Sequence, residues 1–184
     1  MCLHDLADRE AAIARFLEKF PSLAQASCDH PALQGLDDTR WADIPGCPAQ
    51  TPAVFAGLLD AAAAPEAVRV LGIVLNDGLF QVSTAMPTAL PYLIRLAVDP
   101  AVPARAELVE LLAVTAVFSE PLAPDDNWST LLGPDCDHPE RPQCKAVFLE
   151  HADALRLLAE DASLPEELVG PQERSLLLQA AAPL

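Results

Sequence analysis

The chain has 184 residues, 52% of them apolar but only 5% aromatic, and its 11 Lys and Arg against 27 Asp and Glu give a formal charge of −16. That length supports one continuous core, built here mainly from Leu, Val and Ala, a composition that suits closely packed helices. The charge repels phosphate backbones and anionic lipid, so direct nucleic-acid binding and membrane association are not expected, whereas a basic protein is drawn in.

Met1 to Glu10 already holds Asp5, Asp8 and Glu10 in place of a basic start and an apolar run, and Pro, Gly or charge interrupts every apolar stretch short of the ~20 residues of a membrane span. A cytoplasmic location is the expectation. With it go reduced thiols at Cys2, Cys28, Cys47, Cys136 and Cys144, an odd number.

From about Asp5 to Phe20, Leu6, Ile13, Phe16, Leu17 and Phe20 fall largely on one helical face, which predicts a first helix. Pro21 to Pro48 loses the pattern and reads as loop or short irregular helices, with Trp41 as a core anchor. A second helix is expected from Thr51, acting as cap with Pro52 behind it, to about Ala62. Pro65 opens a third, with Val68, Leu71, Val74 and Leu75 buried, ended by Asn76, Asp77 and Gly78. These two form an antiparallel hairpin.

Thr88 to Val98 continues the spacing through Leu90, Leu93, Ile94 and Ala97. If Thr88 caps this helix, Pro91 sits harmlessly in its first turn; a continuous helix kinked at Pro91 is the alternative. After Asp99-Pro100, Pro103 starts a partner helix with Leu108, Leu111, Leu112, Thr115 and Phe118 inward, making a second hairpin. Ser119 to Pro142, with five prolines, is not expected to form a regular helix. One helix is expected from about Gln143 to Asp161, burying Phe148, Ala152, Leu155 and Ala159. Ser163-Leu164-Pro165-Glu166 then reads as a capping box opening a short helix, before a Leu-rich turn at Leu176, Leu177 and Leu178.

The run Thr84-Ala85-Met86-Pro87-Thr88-Ala89-Leu90-Pro91-Tyr92-Leu93-Ile94-Arg95-Leu96, with the hairpin before it and the helix from Pro103 to Phe118, resembles bacterial HEAT- and armadillo-like helical-repeat proteins over roughly Trp41 to Phe118. The resemblance implies an all-α fold, a short α-solenoid of antiparallel helix hairpins, here with an irregular Pro-rich insertion. It implies a binding or scaffolding module, and no catalytic residue carries over. The chain is read as one domain: 1–50 as N-terminal helix and irregular segment, 51–118 as hairpins, 119–142 as acidic Pro-rich loop, 143–184 as C-terminal helices.

Cys136, His138, Cys144 and His151 supply ligand types that Zn²⁺ prefers, but their spacing departs from the short pairs of structural zinc sites. The repeat of Cys-Asp-His at Cys28 to His30 is most simply chance. The acid pairs Asp37-Asp38 and Asp125-Asp126 lie in polar stretches where solvation keeps both ionised. There is no phosphate-binding loop, nucleophile elbow or His-Glu-x-x-His pair. No enzyme activity, metal or cofactor is expected. The informative feature is the 119–142 segment, where Trp128 stands among Asp125, Asp126, Asp135 and Asp137, an aromatic anchor flanked by steering carboxylates; alternatively Trp128 folds back to pin the loop. The expectation is a non-enzymatic protein-binding module, most concretely an acidic immunity or inhibitor protein that blocks a basic toxin or enzyme. The alternatives are a metal-binding sensor or enzyme using the Cys136, His138, Cys144 and His151 group, or a structural scaffold.

Overall fold

The computed structural model describes residues 5–25, 29–78, 81–122, 129 and 132–183. Helix α1 (Leu6–Lys19) begins where the Asp5 carboxylate accepts from the Asp8 amide at 2.9 Å and the Asp8 carboxylate accepts in return from the Asp5 amide, a reciprocal cap that satisfies two orphan donors. Its inward stripe is Arg9, Ala12, Ile13 and Phe16. Leu6, expected on that stripe, is the helix's first residue and is 44% exposed.

Three short 3₁₀ turns, Pro21–Gln25, Pro31–Leu33 and Trp41–Asp43, fill the irregular segment. Trp41 is the core anchor expected of it. Buried at 2% exposure, it donates its indole N–H to the Leu36 carbonyl and lies against the rings of Phe55 and Tyr92, at centroid distances of 5.7 and 6.2 Å.

Helix α2 (Thr51–Gly57) is shorter than expected, and Thr51 is its first residue, not its cap: the buried hydroxyl donates to the Pro48 carbonyl at 2.7 Å. Its last residue, Gly57, packs closely on α1: a Cβ there would stand 2.5 Å from Phe16 Cζ. The Asp60 carboxylate then takes the Ala62 and Ala63 amides and leads into α3 (Ala64–Leu75). Beyond it Asn76 pairs with Val82 in an isolated antiparallel bridge, and among the described residues no strand forms.

Helix α4 (Met86–Val98) starts two residues before Thr88, so Pro87 and not Pro91 occupies its first turn and Pro91 lies inside a continuous helix. Eight of its residues are buried, including Leu90, Leu93, Ile94 and Ala97, as befits a helix covered nearly all round. Helix α5 (Arg105–Phe118) buries Leu108, Leu112 and Thr115 and leaves Leu111 and Phe118 partly covered.

Within the segment expected to lack regular helix, Ser129 and Leu132 are helical, and α6 (Glu140–Glu150) begins ahead of Pro142, whose missing N–H breaks no bond in the first turn. The single helix expected from Gln143 to Asp161 is two. Backbone at His151 (φ −102°, ψ 22°) ends α6 and starts α7 (Ala152–Glu160), although neither Pro nor Gly marks the break. Cys144 and Phe148 of α6 and Leu155 and Leu158 of α7 all join the core, and both helices pack on α4.

No helix opens at Ser163. Its amide and hydroxyl are both captured by the Asp161 carboxylate, at 2.8 and 2.6 Å, and 162–168 forms turns. The box-like contact lies further on, where the Glu173 carboxylate accepts from the Gly170 amide at 3.0 Å and α8 (Pro171–Ala180) follows.

Helices adjacent in the chain pair as α2 with α3, α4 with α5 and α7 with α8. In addition α1 lies on α3, α4 meets α6 and α7, and α8 returns to α5. One continuous cluster of buried residues runs through all of them.

Candidate binding groove and acidic surface

Charge is distributed asymmetrically between inside and outside. Of the 11 Lys and Arg, only Arg15, Lys19, Arg40, Arg69 and Arg156 are exposed. The other six each donate to main-chain carbonyls. Arg9 reaches Gly46 and Asn76; Arg95 reaches Pro91 and Gln34; Arg105 reaches Ala97. Arg141 takes Leu132 and Gly133, Lys145 takes Gln179, and Arg174 takes Val169 and Ala159. Four of these six also hold a carboxylate: Arg9 with Asp77, Arg105 with Asp161, Arg141 with Asp135 and Lys145 with Glu120. Burying a cation is tolerable only with such acceptors, so these side chains act as internal ties.

Three exposed cations are answered by acids on their own element, Arg40 by Asp43, Arg69 by Glu66 and Arg156 by Asp153. Meanwhile Asp37, Asp38, Glu150, Asp153, Glu160, Glu166 and Glu167 all face solvent. The outward field is therefore acidic, as the composition suggests, with three of the 11 cations buried and three more half-buried.

An open groove of about 560 Å³ lies where the C-terminal end of α4, the Pro31–Leu33 turn and the α6–α7 break meet. Its walls are apolar, from Pro31, Ala32, Ile94, Val98, Pro100 and Ala154, with Arg95, Asp99 and His151 as polar groups. His30 braces one side: Nδ1 accepts from the Ala32 amide at 3.2 Å and Nε2 lies 3.3 Å from Asp99 Oδ2. A tautomer with its proton on Nε2 serves both contacts. Arg95, in the groove wall, lays its guanidinium over the Tyr92 ring at 4.8 Å. A second depression of about 370 Å³ adjoins through the shared Val98 and runs past Leu157, Leu158 and Asp161.

Of the carboxylates and aromatic expected at a partner site, Asp125, Asp126 and Trp128 lie outside the described residues. Asp135 is half-buried and accepts from Arg141 Nη1 at 2.5 Å, which ties the 132–135 turn to α6. Asp137 is exposed, with the Cys136 thiol 3.7 Å from its Oδ1. The groove was not legible as a site, because three separate segments assemble it. The adjoining depression does carry a sequence signal, the doubled Leu157-Leu158, which forces one leucine outward from an amphipathic helix.

The cysteine and histidine group does not converge. Cys136 is exposed, Cys144 is fully buried, His138 Nδ1 pairs with Glu140 at 3.0 Å, and His151 lines the groove. Among the described residues no three His, Cys, Asp or Glu side chains are grouped to hold a metal ion. Burial pushes the Cys144 thiol up to about 12, only partly opposed by a hydrogen bond with Ser119, and burial likewise raises Cys47. Neither is a ready nucleophile or ligand.

Among the described residues no helix is long and apolar enough to cross a membrane. Neither protein-family models, nor curated proteins, nor solved structures match the chain.

Proposed function

We propose that this all-helical protein is a non-enzymatic binding protein that covers a basic partner, in the manner of an acidic inhibitor or immunity protein for a toxin or enzyme with a cationic site. The observation that carries the reading is the partial withdrawal of the cations: three of 11 are buried and three more half-buried, all six held on main-chain carbonyls, so the surface offered to a partner is more uniformly acidic than composition requires. Such a field speeds encounter with a cationic protein and disfavours acidic competitors. The internal pairing of α2 with α3, α4 with α5 and α7 with α8 supports a short HEAT-like stack of hairpins as the rigid frame for that surface. The 119–142 segment, with Trp128, Asp125, Asp126 and Asp137, belongs to the proposed contact.

The experiment begins with the partner that co-purifies with the native protein and measures association at several ionic strengths. Association that slows steeply with salt, together with loss of the partner's activity on binding, supports the reading. A partner that is itself acidic, or association indifferent to salt, would sink it.

A further inference from the structure

We propose that the seam between α4 and α7 is a docking groove for an aliphatic, Lys- or Arg-bearing segment of the partner; this rests on the acidic binding function above and assigns it a surface. Two adjoining depressions of about 560 and 370 Å³ share Val98 as a wall and together form the proposed trough. Its floor is aliphatic. On its edge Leu157 is 63% exposed, the most exposed large apolar side chain in the described structure, while its neighbour Leu158 is buried. An amphipathic helix holds such a leucine in water at a cost that an apolar partner side chain would remove.

Charge selects the occupant. Glu160 lines the trough, and Glu150 and Asp153 stand exposed next to its wall residues His151 and Ala154; Arg95 and Arg105 line it too, held on the carbonyls of Gln34 and Ala97, with Arg105 paired to Asp161. Arg156 is the exposed cation of α7, and it is paired with Asp153. An apolar segment flanked by cations therefore meets both the floor and the rim. A second copy of this chain would bring another formal −16 to the same rim, so self-association does not fit.

The test uses the full chain and three labelled synthetic peptides: one of Lys and Leu at helical spacing, one with every Leu replaced by Ser, and one with every Lys replaced by Glu. Fluorescence anisotropy is read for the parent and for Leu157→Ser and Ala154→Gln, with thermal melts confirming that both variants fold. The Lys/Leu peptide is expected to bind the parent, the Lys/Ser peptide at least about tenfold more weakly, and each variant to lose about tenfold for Lys/Leu. Unchanged Lys/Leu binding by both folded variants overturns the groove and leaves the acidic-surface function standing, as does failure of the parent to bind that peptide. Equal binding of the Glu/Leu peptide overturns the choice of a basic occupant and counts against the function beneath it. A dimer of the parent that Leu157→Ser dissolves would assign the groove to a second copy and overturn the proposal.

Discussion

Arg9, inside α1, forms an ion pair with Asp77 just beyond α3, and the same guanidinium holds the carbonyls of Gly46 and Asn76. One buried side chain thus fastens α1, the irregular segment and the turn after α3. Gly46 is part of the fastening: its φ is +72°, and a Cβ there would lie 2.9 Å from Arg9 Nη1. Arg9→Ala strips these acceptors of their buried donor and is expected to cost about 2–3 kcal/mol in urea unfolding. Arg15→Ala, on the exposed side of the same helix, should stay within about 0.5 kcal/mol. Equal midpoints for the two variants would show that the fastening is dispensable.

That contact also marks where sequence reasoning stopped. Ala12, Ile13 and Phe16 announce the buried stripe of α1, and Arg9 falls on it by spacing, yet only the distant carbonyls explain why a cation belongs there. The faces of α4 and α5 were legible because Leu93 and Leu112 repeat with the helical period and both are fully buried. The break at His151 was not, since neither Pro nor Gly marks it and the apolar spacing runs on across it. Ser163 does not cap: a cap side chain accepts from the amides ahead of it, whereas the Ser163 hydroxyl and amide both donate to Asp161. Of the candidate site, the acidic character was readable from composition, whereas the groove depended on tertiary placement of Pro31, Val98 and Ala154.

The thiols should separate by burial. Cys136 is exposed, while Cys47 and Cys144 are buried and their thiols resist ionisation. Brief alkylation of the native protein near neutral pH, read by peptide mass spectrometry, should modify Cys136 and spare Cys47 and Cys144 until denaturant is added. Early labelling of Cys144 would mean that α6 opens readily from the core.

Acid should act on the junction of α5 with the turn after α7. Asp161 is held down to about 2 from an ordinary 3.8, first by the Ser163 hydroxyl, then by Arg105 and the Ser163 amide. Because the folded value is the lower one, these contacts contribute their full stability above about pH 4 and lose it as pH falls toward 2. Asp161→Asn removes that titration, so its melting temperature should fall less between pH 4 and 2 than that of the parent. Parallel curves for the two proteins would contradict the assignment.

The two proposed contact regions can be told apart by kinetics. Exposed carboxylates act at a distance, over a Debye length of about 8 Å at physiological ionic strength, so added salt or Asp125→Asn with Asp126→Asn should mainly slow association with the basic partner. An apolar anchor acts after contact: Trp128→Ala should speed dissociation, at about 2 kcal/mol if its ring is desolvated in the complex. Leu157→Ser does the same if the α4–α7 groove is engaged. Surface plasmon resonance on the four proteins, each checked for a parental melting curve, separates the contributions. Faster dissociation for Leu157→Ser alone places the anchor in the groove, and for Trp128→Ala alone in the 119–142 segment. Additive losses in a double variant are expected if both regions touch the partner independently. Dissociation unchanged in both single variants would remove the apolar anchor from each region and leave the binding to charge alone.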